Sequence, residues 1–496
     1  MSRRILQVGC AAIVLAAAVA AIAPTAAQKH VPLPPEQPAS RGGEFLAAEA
    51  PAAGIAMRPR IGAGPGAPEI IASPRPAATT AAATARPPLT PLPLKIAPGA
   101  DPTPGAATPS ADDEDLPLLG EGERAAGDDA LVTVVPRAKP ERPGRRRFPS
   151  YVAGEGDPPL EVMVGQMLMV GFQGDDVDQP GPQRIARHIE AGRLGGVIFF
   201  RQNVKSEAAV KRLTHLFRAS APPGLPVLIA VDQEGGHVQR LNTEVGFPDT
   251  PSAKRVAARG EAAAKRIYTR LARDLAEWGF NVNLAPVVDL GNQRDNPIIA
   301  KLGRAFSGDP ATIAAYASLF VEAHRDAGVL TALKHFPGHG SSRGDTHKGF
   351  VDVSYSWTET ELTPYRDLVA ENMVDMVMVA HVHLAKYGPG GLPASLSEPM
   401  IEGLLRGNIG FNGVVMSDDL EMGAIRKLGS PIRIAKQAIL AGNDILVYAG
   451  GAAGRGDLVG ELQARLQVAA RDPVFAARIK DSYHRVMTLK AKLPGE

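Results

Sequence analysis

The chain is almost without cysteine: of 496 residues only Cys10 carries a thiol. A disulfide-stapled fold is excluded on that count. A surplus of one charge sign is missing too. With 54 Lys and Arg against 52 Asp and Glu, the formal charge is +2, which leaves no domain-wide basic surface and argues against nucleic acid as a partner. Long apolar runs are equally scarce. The one candidate, about residues 8–23, is short beside the roughly 20 apolar residues that a spanning helix needs. Arg3 and Arg4 precede it, and Pro24 with the small residues Thr25, Ala26 and Ala27 ends it. The pattern reads as a secretory signal peptide over residues 1–27, with an uncleaved membrane anchor as the alternative. Cys10 lies at the front of the run, the wrong place for lipoprotein acylation. A form cut near Ala27 contains no cysteine and needs no disulfide chemistry after export. The expected location is the periplasm or cell envelope rather than the cytoplasm.

Aromatic residues are nearly missing from 28–157, which is rich in Pro and Ala, as in PLPPEQP and ARPPLTPLPLKIAPG. Such a segment cannot bury enough apolar area to offset the entropy of ordering it. It is expected to be a disordered linker, spanning on the order of 60 Å as a flexible coil. Together with residues 1–27 it could tether a domain to a membrane. The acidic run Asp112 to Asp115 and the basic Arg145, Arg146 and Arg147 read as solvated linker charge.

From Leu160 onward the composition becomes globular, so 158–496 is taken as one catalytic-type domain. Apolar runs recur at 167–172, 196–200, 227–231, 282–288, 329–333, 376–380, 413–416 and 444–448. Helical patterns alternate with them around 184–191, 206–218, 262–277, 310–327, 398–405, 431–441 and 457–470. Continuous apolar strands alternating with amphipathic helices indicate a parallel sheet buried on both faces. Eight such units fit an α/β fold of the (β/α)8 barrel type better than an open sheet. Polar residues follow most of the runs: Asp232, Gln233 and Glu234 after the third, Asp289 after the fourth, Lys334 and His335 after the fifth. His381 and His383 follow the sixth, and Asp418 and Asp419 the seventh. In a barrel those ends converge on one mouth.

The densest of these clusters lies in 332–349, ALKHFPGHGSSRGDTHKG. A strand that delivers ionisable groups into a glycine-rich loop is a common layout for an active site. Lys334 and His335 can both face a pocket only if the backbone twists there. Asp345 and His347, two apart on a loop, can pair carboxylate with imidazole and so suit proton transfer near neutral pH. His339 reads as loop architecture. In VDQEGGHVQR, Asp232 with Arg240 suits the binding of sugar hydroxyls or an anionic group, the other reading being a structural pair at the rim. In VVMSDDLEM, Asp418 is the first acid beyond an apolar strand and can be a nucleophile, whereas Asp419 can cap the next helix. His324, Trp278, Met373, Met376 and Met378 read as packing.

Together VDQEGG, KHFPGHG with DTH behind it, and SDDLEM resemble the bacterial β-N-acetylglucosaminidases of glycoside hydrolase family 3. The resemblance covers most of 160–470. It implies Asp418 as nucleophile and His347 as acid/base with Asp345 as its partner. It also implies sugar contacts from Asp232, Arg240, Lys334, His335 and Arg304, the last within GRAF. One departure is His237, where the family usually has Arg. Other family members take their acid from a second domain of about two hundred residues. Too few residues follow the eighth run for such a domain, so the acid is expected on the barrel loop itself.

The implied activity is a retaining β-N-acetylhexosaminidase that removes terminal β-linked GlcNAc, from a GlcNAc-containing glycan or muropeptide, as a monomer and without cofactor or metal. Four alternatives remain. Two stay within the family: β-glucosidase-like activity, or phosphate in place of water as acceptor. A third is a metal-dependent barrel hydrolase using His335, His339, His347, His381 and His383. The fourth is a wall-binding module without catalysis, which should lack the nucleophile or a dyad member; neither is missing.

Overall fold

A computed structural model of the protein describes residues 156–450 and 457–494. The signal-peptide or anchor reading of 1–27 and the linker reading of 28–157, except for Gly156 and Asp157 at its end, lie outside these residues. Among the described residues no helix is long and apolar enough to cross a membrane.

Eight parallel strands close into a barrel: β1 Leu168–Val170, β2 Gly196–Phe199, β3 Leu228–Val231, β4 Val282–Asn283, β5 Leu330–Phe336, β6 Met376–Val379, β7 Val414–Asp419 and β8 Ile445–Tyr448. Each pairs with its sequence neighbour, and β8 returns to β1 with Leu168 opposite Leu446. Helices link successive strands, and their starts are specified locally. Ser206 caps Glu207–Ala219 by accepting the Ala209 N–H, and Asp309 caps Pro310–Asp326 by accepting that of Thr312 at 2.8 Å. Pro310 supplies the preset φ of a first helical position.

Strand alternation divides the core into two shells. Met169, Ile198, Leu228, Ala230, Val282, Leu284, Leu330, Ala332, Met376, Met378, Val414, Met416, Ile445 and Val447 fill the barrel lumen. Their neighbours one step away, such as Ile229, Leu333, Val377 and Val415, face the surrounding helices. The same period of two then aims the mouth. The next inward positions are Phe200 after β2, Asp232 after β3, Lys334 in β5, Asp418 in β7 and Ala449 after β8, and all five line one cavity.

The opposite end is plugged by the helix Pro473–Lys490, whose Val486 and Leu489 join the lumen cluster. Lys490, 1% exposed, donates to Gln166 Oε1 at 2.6 Å and to the Gly195 carbonyl at 2.8 Å. Nearby, the buried carboxylate of Asp444 collects Arg406, Arg478 and Arg485 at 2.8, 3.0 and 3.2 Å. Asp157, at the start of the described chain, pairs with Lys480 and His484 of the closing helix.

Three strand expectations need correction. β4 stops at Asn283 because Pro286 has no N–H to donate to the ladder; pairing resumes only as a bridge between Val287 and Lys334. β5 runs on through Phe336, and β7 through Asp419, so residues expected just beyond these strands belong to them. The helices Leu160–Gln166 and Thr363–Ala370 were not expected, and Pro399–Asn408 has the wider π pitch.

Candidate active site

At the barrel mouth a cavity of about 450 Å³ opens, inside the range of about 300–1,000 Å³ usual for small-molecule sites. Seven of the eight expected site residues line it: Asp232, Arg240, Arg304, Lys334, His335, His347 and Asp418. The eighth, Asp345, stands behind His347. Met378, read as packing, also reaches the cavity from the lumen.

One wall is an ion-pair network. The Lys334 ammonium lies 2.8 Å from Asp232 Oδ1 and 2.7 Å from Glu234 Oε1. Arg304 grips Glu234 with Nε and Nη2, both at 2.7 Å, and donates Nη1 to the Ile298 carbonyl at 2.9 Å. Arg240 reaches Asp232 Oδ2 at 3.2 Å and packs its guanidinium over the Phe200 ring. Burial works against the charges of Asp232, Glu234, Lys334 and Arg304. For Asp232 and Glu234 the surrounding cations outweigh it and hold both carboxyls below the usual range. For Lys334 and Arg304 the carboxylates likewise win, and both stay protonated. Arg240 Nε is buried without a partner among the described residues, a donor left for a ligand.

Lys334 and His335, adjacent in sequence, both line the cavity. The register of β5 against β6 shifts between Leu333 and Phe336, and the Lys334–His335 peptide bond is cis. The register shift re-aims a side chain that strict alternation would send outward. His335 Nδ1 lies 2.7 Å from Asp289 Oδ2, and its Nε2 lies 3.3 Å from Arg304 Nη2. Asp289 Oδ1 also accepts the His335 and His339 backbone N–H groups at 3.1 and 2.7 Å. Asp289 thus anchors the start of the loop beyond β5.

That loop carries the dyad. His347 Nδ1 lies 2.8 Å from Asp345 Oδ1, and the same oxygen accepts the His347 N–H at 3.0 Å. This arrangement leaves Nε2 as the working nitrogen. Burial alone would raise the Asp345 pKa, but the hydrogen bonds from His347 prevail and lower it. His347 is 65% exposed in its side chain, so it reaches the cavity from the solvent side.

Asp418 faces the dyad from β7. Burial opposes its charge, yet His381, His335 and the Asp419 N–H, at 2.8 Å from Oδ1, outweigh burial and lower its pKa. Unlike Asp232 and Glu234, it forms no ion pair with Lys or Arg among the described residues. A half-buried anion left unpaired in a cavity is available to an electrophile. Asp419 is different: its Oδ1 accepts from Glu421 and Ala449 N–H groups at 3.0 and 2.9 Å, and burial pushes its pKa up to about 6. It shapes the turn after β7 and does not cap a helix as expected, since the next α-helix starts only at Pro431 and is capped by Ser430.

The histidines are not gathered as ligands of one ion, although His335, His339 and His347 all border the cavity. His339 lies between Ser342 and Thr346, His381 between Ser395 and the Asp419 carbonyl, and His383 against the Leu392 carbonyl. Among the described residues no three His, Cys, Asp or Glu side chains are arranged to hold a metal ion. The sequence placed Glu234 and Asp289 only among the polar strand ends, and His381 there and among the ligands of the metal alternative; none had a role in the sugar site. The first lies two positions beyond Asp232, and that spacing within the DQE triplet was its available signal.

The model of the glycosyl hydrolase family 3 N-terminal domain matches residues 159–489. The chain belongs to glycosyl hydrolase family 3. Within family 3 it is 30% identical over 366 residues to β-hexosaminidase A of Pseudoalteromonas piscicida, covering 67% of this chain and 61% of that protein. It is 36% identical to a β-hexosaminidase of Xylella fastidiosa strain M23, over 57% of this chain and 82% of that one. Among solved structures, the family 3 β-N-acetylglucosaminidase from Paenibacillus sp. strain FPU-7 superposes with a TM-score of 0.60 at 34% identity, over 67% of this chain and 62% of that one. The β-N-acetylhexosaminidase from Beutenbergia cavernae DSM 12333 gives 0.59 at 32% identity, with 68% and 99% covered. The chain therefore spans somewhat less than two thirds of two of these family 3 relatives and nearly all of another.

Proposed function

We propose that the protein is a retaining β-N-acetylhexosaminidase that releases terminal β-linked GlcNAc from glycans, with peptidoglycan fragments as its leading natural substrate. One observation carries the reading: a half-buried carboxylate without a Lys or Arg partner, Asp418 at the end of β7, and a carboxylate-oriented imidazole, His347 on the loop beyond β5, line the same cavity. The names of the family 3 relatives support the sugar specificity.

In the first step an Asp418 oxygen forms a bond to the anomeric carbon as the glycosidic C–O bond breaks. His347, entering as imidazolium, gives its Nε2 proton to the departing oxygen. In the second step the neutral imidazole takes a proton from water, whose oxygen attacks the same carbon and frees Asp418. Two displacements restore the starting configuration. Asp345 holds the imidazole tautomer throughout. Asp232, Arg240, Lys334, Arg304 and His335 bind the sugar, the first three directly. Arg304 acts largely through Glu234, since two of its three nitrogens are already engaged there.

The test compares aryl β-GlcNAc with aryl β-glucoside, each with and without phosphate. Rapid release from the GlcNAc compound alone, unaffected by phosphate and yielding β-GlcNAc first, supports the reading. Preference for glucose, or dependence on phosphate, overturns it. Asp418→Asn should abolish turnover while substrate binding survives. Location in the cell envelope is proposed on the signal-like residues 1–27, and fractionation of a C-terminally tagged chain tests it.

A further inference from the structure

Behind the sugar cavity lies a second concave surface that the proposed reaction does not use. The wall between them is thin. Glu234, Val238, Arg240, Ile298 and Arg304 face the sugar cavity, while His237, Gln239, Lys301 and Gly303, from the same two segments, face outward. Leu302 borders both spaces. On the outer side, the short helix Ala253–Ala257 is stitched to this wall by the Lys254 N–H, which donates to the Gly303 carbonyl at 3.1 Å. Two cavities adjoin there, of about 640 and 490 Å³, and they share Lys254, Ala300 and Gly303.

The charge on this surface is one-sided in a chain whose total is only +2. Lys254, Arg255, Lys301 and Arg294 line it, with His237 beside them and Asp249 as the single acid. Asp249 accepts from Gln239 Nε2 at 3.1 Å and forms no ion pair with them, so four cations face one carboxylate. Lys301 has one distant partner, Asp295 at 3.9 Å, with both side chains mostly in solvent. Lys254, Arg255 and Arg294 have no ion pair among the described residues. Cations elsewhere at the mouth are engaged: Lys334, Arg240 and Arg304 each form an ion pair with Asp232 or Glu234. Unspent cations around a hollow attract anions from solution and hold them loosely, which suits repeated charges on a polymer better than one tight ligand.

We propose that this groove, lined by Lys254, Arg255, Arg294 and Lys301, is an accessory binding site for an anionic polysaccharide, recognised by carboxylate or phosphate groups spaced along its backbone. The site rests on the barrel's outer rim and is separate from the residues that hold the terminal sugar. It keeps the enzyme on an anionic glycan matrix between turnovers, and so extends the hexosaminidase reading without depending on its chemistry.

The experiment measures binding of the full-length protein to fluorescent polygalacturonate (carboxylate), polyphosphate (phosphate) and neutral dextran, at low and at physiological salt. The variant Lys254→Ala/Arg255→Ala/Arg294→Ala changes exposed side chains only; aryl GlcNAc hydrolysis is recorded in parallel as a check on the fold and on the active site. The expected result is binding to one or both polyanions and not to dextran, weakened at least tenfold by the triple variant and strongly by salt, with aryl GlcNAc kinetics unchanged within twofold. Whichever polyanion binds more tightly identifies the charged group. Equal binding of wild type and variant, or none to either polyanion, overturns the site. Failure to cleave aryl GlcNAc would instead sink the hexosaminidase reading, and polyanion binding would still be decided by its own arm.

Discussion

His339 Nε2 meets the Thr346 hydroxyl at 3.2 Å, one residue before His347. The other ring nitrogen lies 2.7 Å from Ser342 Oγ, and burial drives the imidazole pKa down to about 4. A neutral ring therefore spans the loop from inside and fixes where the dyad stands. His339→Ala should lower kcat by about 10–100-fold through misplacement of His347, with KM nearly constant. His339→Gln, which can still reach both hydroxyls, should recover part of the loss. A change in KM alone would show that the ring supports binding rather than positioning.

The dyad makes a separate prediction about leaving groups. Protonation matters for a sugar or alkyl alcohol and little for a good aryl leaving group. His347→Ala should thus cost about 10²–10⁴-fold on a natural linkage and much less on an activated aryl glycoside. Asp345→Asn should follow the same pattern more weakly. Equal losses on both substrates would refute the acid role.

Glu234 holds two buried cations, Arg304 and Lys334. Removing its charge leaves both under-compensated in a dry wall, a situation that costs on the order of 3–5 kcal/mol. Glu234→Gln should shift the urea midpoint accordingly and raise KM. An unchanged midpoint would mean that solvent enters the wall.

Two buried groups should give stability opposite pH slopes. Burial pushes Glu361, whose Oε1 accepts the Ser341 N–H at 2.8 Å, up to about 7. The folded chain then holds this proton longer than the unfolded one, so the group's contribution is full below about 4.5 and is lost as pH rises towards 7. Burial pulls Lys490 down to about 7 from 10.5. Here the unfolded chain holds the proton longer, so the contribution is full above about 10.5 and is lost as pH falls to 7. Each slope is at most about 1.4 kcal/mol per pH unit. Tm measured across pH should show Glu361→Gln gaining on wild type from pH 5 to 7. Lys490→Met should compare best with wild type near pH 7 and lose ground towards pH 10. Parallel curves would show that both sites take up water instead.

The barrel and most of its mouth were legible because a period of two continues past the apolar runs. Leu228, Ala230 and Asp232 lie on one face, as do Val414, Met416 and Asp418. What could not be read was partnership. Glu234 meets Arg304 from 70 residues away and Asp289 meets His335 from 46, and no local pattern encodes such distances. His335 was legible as polar but not as inward-facing, since a register shift decides its direction. The helix Thr363–Ala370 had its own signals in Pro364 at its first turn and in Tyr365 and Leu368 on one face.

The lumen is stoppered by Val486 and Leu489, and β1 finds its second partner only in β8. During synthesis, then, no earlier portion of the domain can enclose a dry lumen. The ring stays open on one side until about residue 448 has emerged and uncorked until about residue 490. A chain that completes its core so late remains threadable for most of its time on the ribosome, which is the condition that passage through a translocation pore imposes.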